Sequence, residues 1–309
     1  MNLIYFGSSE FSRVVLEGLC RMGFAPSLVV TKPDKPKGRG LQLTATEVSV
    51  LAESKKISVV KPNSLKEKSF IEKLRAESVD FFVVVDYGKI IPLEVLSLPN
   101  EFTLGLHPSL LPRYRGPAPI EYALLNGDQT TGLTIFKVNE KVDSGDIILQ
   151  KQVVIDSNDD YHSLSRKLSN EGFQFIVEGL SKIKDGSYKL VKQAEARASF
   201  TFKFKKIDGQ INWQKRAVDI NNLVRAISGW PSAYTYHNGL LLKVIKSDVI
   251  KVTDEIGPPG GIVKIEPKGI YVTTGEDILR ISRIQPQGKK VMDAWSFVCG
   301  HHLKVGMSF

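Results

Sequence analysis

Cysteine is nearly missing from the chain: Cys20 and Cys299 are the only two in 309 residues. They can build neither a disulfide framework nor a paired-thiolate zinc site, and a reducing compartment, the cytoplasm, is expected. Histidine is almost as scarce, with five; His301 and His302 are adjacent near the end and no His or Cys pair has ligand spacing, so no metal is expected. No apolar run approaches the roughly 18 residues of a membrane span. The start, MNLIYFG, runs straight into a strand-like segment without the basic, apolar and small-residue zones of a leader. Internal repeats and low-complexity tracts are also lacking.

What is present is apolar enough to bury a core, at 42% hydrophobic residues, and the length suits two domains. The net charge is +9, a surplus that favours polyanionic partners. Its distribution says more. Residues 201–309 carry 16 basic and 9 acidic side chains, whereas residues 1–200 are close to balanced with 26 and 24. A solvated basic surface with no partner gives the same count, so charge leaves both readings open.

Short β-branched runs alternate with helical patterns through the first half, which is the signature of βαβ units and a parallel sheet. LIYF (3–6), SLVV (27–30), ISVV (57–60), FFVVV (81–85) and 102–107 read as strands, with FFVVV, the most apolar, in the centre. Helices are expected at 10–22, capped by Ser8 or Ser9, and at 46–55, 65–77 and 160–184. Two further strands fall at 134–138 and 147–155. From Leu190 the composition turns polar and basic without a period, and residues 190–206 read as a linker. Beyond it a helix at 217–227 precedes several short strands separated by Gly and Pro turns, a pattern that suggests a small barrel of the oligonucleotide-binding kind. The expected fold is therefore α/β, a Rossmann-like domain with a parallel-rich sheet over residues 1–189, followed after the linker by a small β-barrel over 207–309.

Three segments carry candidate chemistry. Gly7-Ser8-Ser9 sits between a strand and a helix N-terminus, but it is no dinucleotide or Walker fingerprint, and a plain turn explains it better. TKPDKPKGRG (31–40) spreads Lys32, Lys35, Lys37 and Arg39 among prolines and glycines, so a mobile basic loop after the second strand is expected. His107 ends its strand, and in an open α/β sheet that places it at the ligand crevice. Behind it PSLLPRYRG is too rigid for a helix and too apolar for a solvent loop. The turn VDSGDI (142–147) should raise Asp143 and Asp146 on the same sheet edge. A carboxylate beside an imidazole orients it and favours its protonated form, which suits acid–base work or an oxyanion donor. Other aspartates could supply that partner.

At these residues the chain resembles the 10-formyltetrahydrofolate-dependent formyltransferases. HPSLLPRYRGPAPI followed by VDSGDI is similar to the transferase core, and His107 and Asp143, 36 residues apart, match the family's catalytic pair. TKPDKPKGRG is similar to the tRNA-binding loop of the tRNA-directed branch, with Arg39 at its characteristic arginine. VVVDYGKIIP (83–92) resembles the folate-pocket strand and loop, although Asp86 stands where the family usually has alanine. RAISGWPSAYT (225–235) and QPQGKKVMDAWSF (285–297) extend the likeness over nearly the whole chain.

The resemblance implies formyl transfer from 10-formyltetrahydrofolate to the α-amine of methionyl initiator tRNA, in translation initiation, with the folate as co-substrate and no permanently bound cofactor. It implies a folate pocket of Val85, Asp86, Tyr87, Gly88, Ile90, Ser109, Leu110, Leu111, Pro112, Val138 and Val142. The tRNA would meet Lys32, Lys35, Lys37 and Arg39 at its acceptor end and Lys203, Lys205, Lys206, Lys289 and Lys290 along its backbone. A monomer is expected. One position departs from the family's Asn-x-His: Gly105 stands at the asparagine, and glycine has no side-chain donor for the developing oxyanion. Loss of such a donor costs about 100- to 1000-fold, or roughly 3 to 4 kcal/mol. Two alternatives follow, a protein of this fold with weakened or lost catalysis and a formyltransferase for an amino sugar.

Overall fold

Phe81–Val85 is the middle strand of seven in the computed structural model, which describes residues 1–37, 42–252 and 257–309. The elements of the first part are β1 (Leu3–Gly7), α1 (Glu10–Arg21), β2 (Leu28–Val30), β3 (Lys35–Lys37), β4 (Gln42–Thr44), α2 (Glu47–Ser54), β5 (Ser58–Val60), α3 (Lys68–Ala76), β6 (Phe81–Val85), α4 (Leu93–Leu96) and β7 (Phe102–His107). There follow α5 (Pro119–Leu125), β8 (Thr130–Lys137), β9 (Ile147–Val154) and α6 (Tyr161–Lys184). The large sheet has the order β5-β2-β1-β6-β7-β8-β9, parallel from β5 to β7, with β8 and β9 antiparallel.

The sheet is buried on both faces, as its near-continuous apolar strands require. Ile4, Phe6 and Phe82 point to one side and pack with Phe70, Ile71 and Leu74 of α3 and Val95 of α4. A fully buried side chain of that size stabilises by about 1.5–3 kcal/mol. On the other face α1 and α6 come close to the strands: a Cβ on Gly172 of α6 would stand 2.8 Å from Leu106 and 3.5 Å from Val15. Ser9 caps α1, its Oγ accepting from Ser12 N at 3.2 Å, and Val15, Leu16 and Leu19 form the buried stripe. Because β1 connects to β2 on one side and β6 lies on its other side, strand order reverses between β1 and β6. That reversal opens a crevice outside their carboxyl ends, at Ser8 and Asp86, where ligands settle in such sheets.

The basic segment after β2 differs from the expected loop. Its arms pair, Lys35 with Thr44 and Lys37 with Gln42, in a short antiparallel ribbon. Proline at position 36 is tolerated because a two-stranded ribbon is all edge. Arg39 lies outside the described residues. The short helices α4 and α5 were also not apparent in the periodicity, since four and seven residues make too few turns to show a face.

The chain divides into two units, residues 1–119, 130–154 and 164–201 in the first, and 120–129, 155–163 and 202–309 in the second. The second contains α7 (Ala217–Ala226), β10 (Ala233–His237), β11 (Leu240–Ile250), β12 (Ile262–Glu266), β13 (Gly269–Thr273), β14 (Ile278–Pro286), β15 (Met292–Asp293) and α8 (Ala294–His301). Its barrel-like antiparallel sheet has the order β10-β11-β14-β13-β12, with β15 on β14. Ile220, Val224, Leu242, Val272, Leu279, Ile281 and Phe297 are buried in it. Among the described residues no helix is long and apolar enough to cross a membrane.

Candidate active site

His107 closes β7 with its side chain buried, 5% exposed. Its Nε2 lies 2.8 Å from the carbonyl oxygen of Tyr114, and a carbonyl only accepts, so Nε2 carries a proton. The neutral ring then has its lone pair on Nδ1. That nitrogen faces Asp143 Oδ2 at 3.6 Å, too long for a hydrogen bond. The sequence reading gives Asp143 the orienting of the ring; the hydrogen bond that selects the tautomer goes to the Tyr114 carbonyl. Asp143 is held in turn by the Gly116 N–H, which donates to Oδ2 at 2.8 Å. Asp146, expected on the same edge, meets no imidazole and accepts at its backbone oxygen from Lys137 N.

Residues 108–118 hold this geometry although they form no regular ladder, because most of their backbone groups have a specific partner. Thr134 Oγ1 donates to Ser109 O at 2.6 Å and accepts from Leu111 N at 3.1 Å. Gln150 Nε2 donates to Leu111 O at 2.8 Å. Ser109 Oγ donates to Arg113 O at 2.6 Å. On the far side the segment 193–201, inside the span read as a linker, runs along the loop. Ser199 Oγ accepts from Tyr114 N, Ser199 O from Arg115 N, and Thr201 N donates to Arg115 O. Gly116 is at φ +113°, and a Cβ there would stand 2.6 Å from Thr201 O, so only glycine turns the chain here.

Arg115 anchors the strap. It is 3% exposed, and its Nε donates to Gln193 Oε1 at 2.9 Å while its two terminal nitrogens grip Glu195 at 3.0 and 2.9 Å. Those guanidinium hydrogen bonds hold the Glu195 carboxyl below its ordinary range. Gln193 completes the link, its Nε2 donating to the carbonyls of Asp143 and Gly145 at 2.9 and 2.7 Å. Sequence reading missed Gln193, Glu195, Ser199 and Gly116. Only Gly116 carried a local signal, a glycine among prolines.

Of the residues implied for the folate pocket, the structure brings Ser109, Leu110, Leu111 and Pro112 into the loop behind His107, with Ser109 and Leu111 buried. Val85 and Tyr87 are also buried. Tyr87 packs edge-on against Phe6 in the core, where burial pushes its hydroxyl up to about 12 and leaves the OH without a hydrogen-bond partner. Asp86, Gly88, Ile90 and Val142 are exposed, and Val138 is half-buried. Gly105 lies between strands β6 and β8, paired with Val84 and Phe136. Lys35, Lys203, Lys205, Lys206, Lys289 and Lys290 are exposed and Lys32 is half-buried. The side chain of Lys37, like Arg39, is outside the described residues.

An open cavity of ≈ 300 Å³ lies at the sheet reversal, lined by Ser8, Ser9, Lys32, Lys35, Thr46 and Asp86 among others. Hydroxyls and charges of both signs share its wall with Pro33, Pro36 and Ala45, a mixed polar and apolar lining. Among the described residues no group of His, Cys, Asp or Glu side chains is placed to hold a metal ion.

Comparison with known proteins agrees with this architecture in both units. The formyl transferase family model matches residues 1–180, and the model of the formyl transferase C-terminal domain matches residues 203–302. The methionyl-tRNA formyltransferase of Thermodesulfovibrio yellowstonii is 40% identical over 306 residues, covering 99% of this chain and 98% of its own. That of Agathobacter rectalis is 40% identical over 309 residues, covering 100% and 99%. In fold the chain is similar to WlaRD, a sugar 3N-formyl transferase solved with dTDP and 5-N-formyl-THF, at a TM-score of 0.67 and 20% identity over 94% of this chain and 99% of that one. HypX from Aquifex aeolicus, solved with tetrahydrofolic acid, gives a TM-score of 0.65 at 16% identity, with 96% of this chain covering 47% of HypX. Through both of its units, the chain belongs to the formyl transferase family.

Proposed function

We propose that this transferase moves the formyl group of 10-formyltetrahydrofolate to the α-amine of methionine on initiator tRNA, for translation initiation. The carrying observation is the 40% identity over the full length of relatives named methionyl-tRNA formyltransferase, which includes the loop behind His107 and the basic second unit. A sugar-directed enzyme has no use for the exposed lysines 203, 205, 206, 289 and 290.

On this reading residues 1–189 perform the transfer, 190–206 join the parts, and 207–309 hold the tRNA backbone. The folate binds as co-substrate along residues 85–90, 109–112, 138 and 142, and no cofactor stays bound. Lys32, Lys35, Lys37 and Arg39 approach the acceptor end. The amine nitrogen attacks the formyl carbon, and His107 Nδ1, which carries the lone pair in the tautomer that the Tyr114 carbonyl selects, takes the proton that the amine releases. Asp143 stabilises the resulting imidazolium. As the bond from the formyl carbon to the folate nitrogen breaks, Nδ1 returns the proton to that nitrogen. Both cysteines are free, which suits the cytoplasm, and the chain acts there as a monomer.

The test is a formyl-transfer assay with methionyl initiator tRNA and, in parallel, an amino sugar nucleotide. Transfer to the tRNA that falls on the order of 1000-fold or more in His107→Ala supports the reading. Transfer only to the sugar sinks the substrate assignment, and normal turnover of His107→Ala sinks the role of the histidine.

A further inference from the structure

The strand that carries His107 and the turn that carries Asp143 are separated by one aromatic ring. β7 and β8 pair Gly105 with Phe136 and His107 with Thr134, so these four residues share one face of the sheet. Phe136 is buried, 5% exposed. A Cβ added to Gly105 would overlap the edge of the Phe136 ring, standing 2.6 Å from Cζ, and would meet Val138 Cγ2 at 3.0 Å. The ring's other edge faces the turn: a Cβ on Gly145 would lie 3.4 Å from Phe136 Cδ2. The ring thus lies between a glycine two residues before His107 and a glycine two residues after Asp143. Pairing of β8 with β9 shifts register between Ile135 and Phe136, an irregularity of the kind that re-aims a side chain.

We propose that Phe136 is a positioning residue: its ring is the spacer that sets the Asp143 turn against the His107 strand, and position 105 is glycine because the ring occupies the volume its side chain would need. A ring at 136 and a side chain at 105 exclude one another. The pair therefore determines both the 3.6 Å separation of His107 and Asp143 and the absence of a side-chain donor beside them. The functional weight of this inference rests on the proposed roles of His107 and Asp143; the packing does not.

Three variants test it: Gly105→Asn, Phe136→Leu, and the two combined. Each is measured for kcat and KM in formyl transfer, for the ¹⁵N shifts of the His107 ring, and for thermal unfolding. Gly105→Asn alone should unfold at lower temperature or lose about 100-fold in kcat, the cost of a misplacement near 1 Å. Phe136→Leu, which withdraws the ring edge, should move the His107 ring signals and lower kcat more than it changes KM. The combined variant should be more stable and more active than Gly105→Asn. If Gly105→Asn is as stable and active as the parent, or if Phe136→Leu fails to restore it, the proposal is wrong. Unmoved His107 signals in Phe136→Leu overturn the spacer role as well. A failure of the catalytic reading shows separately, as normal turnover in His107→Ala, while stability and ring signals still report on the packing.

Discussion

Replacing Gln193 by leucine removes one side chain that ties three parts of the site together. Gln193 is 8% exposed and makes hydrogen bonds to Asp143 O, Gly145 O and Arg115 Nε at 2.9, 2.7 and 2.9 Å. Leucine has nearly the same bulk, so the loss is one of partners rather than of volume. Two carbonyls and one N–H of a buried guanidinium are left unsatisfied. Each such group costs about 1–3 kcal/mol, and the half-buried turn admits water to part of it, so a total of about 3–5 kcal/mol is expected. For a domain of this size that lowers Tm by roughly 10 °C. Gln193→Glu separates the contributions. A carboxylate keeps the acceptor for Arg115 and strengthens that bond, but it turns an oxygen instead of an N–H toward the two carbonyls. It should still release the Asp143 turn and reduce kcat, with a smaller fall in Tm than leucine. Thermal unfolding followed by circular dichroism, with formyl-transfer kinetics on the same samples, reads both. An unchanged Tm in Gln193→Leu, or full kcat in Gln193→Glu, would refute the reasoning that the strap holds the turn.

Acid should loosen the same strap. The Glu195 carboxyl sits below its ordinary value of 4.5 because Arg115 donates to it, so its contribution is present above that value and is lost as pH falls through the lowered one. Urea midpoints of the parent and Glu195→Gln should therefore differ most near neutral pH and converge as pH falls below 4.5 and through the lowered value, by a small amount because Glu195 is exposed. A gap that widens on acidification contradicts this. Removal of Lys289 and Lys290, both exposed, should weaken binding of the tRNA and lower the slope of log affinity against log salt by about 2, close to one for each phosphate no longer neutralised, with kcat retained. An unchanged slope places the phosphates elsewhere.

The strands and the large helices were legible because their order is local. FFVVV needs burial on both faces wherever it lies, and Ser9 ahead of the period Phe11, Val15, Leu19 announces a capped helix. His107 was legible because its strand ends at it, whereas the turn alone left Asp143 and Asp146 open as its partner and only the resemblance singled out Asp143. The strap was hidden for the opposite reason. Residues 193–201 are polar and without a period, and their order comes from partners about 80 positions earlier, Arg115 with Gln193 and Glu195 and Tyr114 with Ser199. At Tyr87 the resemblance names a residue and not which of its groups is used: the ring is 1% exposed beside Phe6, while the backbone carbonyl accepts from Ser8 Oγ at 3.4 Å.

Gly105 shows why a missing side chain cannot be judged at its own position. Read along the strand, it is a lost donor that costs about 3 to 4 kcal/mol at the oxyanion. Read across the ladder, it is the room that Phe136 requires, so restoring the donor by one substitution trades an electrostatic gain for a steric loss. The burden then moves to the imidazole. Its Nε2–H is committed to the Tyr114 carbonyl at 2.8 Å, which leaves Nδ1 as the one ring position able to meet the reacting atoms. On the proposed reading that nitrogen first takes the proton of the attacking amine. As Nδ1–H of an imidazolium it then donates to the new oxyanion, and the same proton finally goes to the departing folate nitrogen. A site without a donor at 105 is thus more dependent on the charge of His107, and on Asp143 to sustain it, than one with asparagine there. The ratio of kcat between Asp143→Asn and its parent should accordingly shrink when Gly105→Asn and Phe136→Leu are introduced together, and an unchanged ratio would mean that oxyanion and imidazolium are stabilised independently.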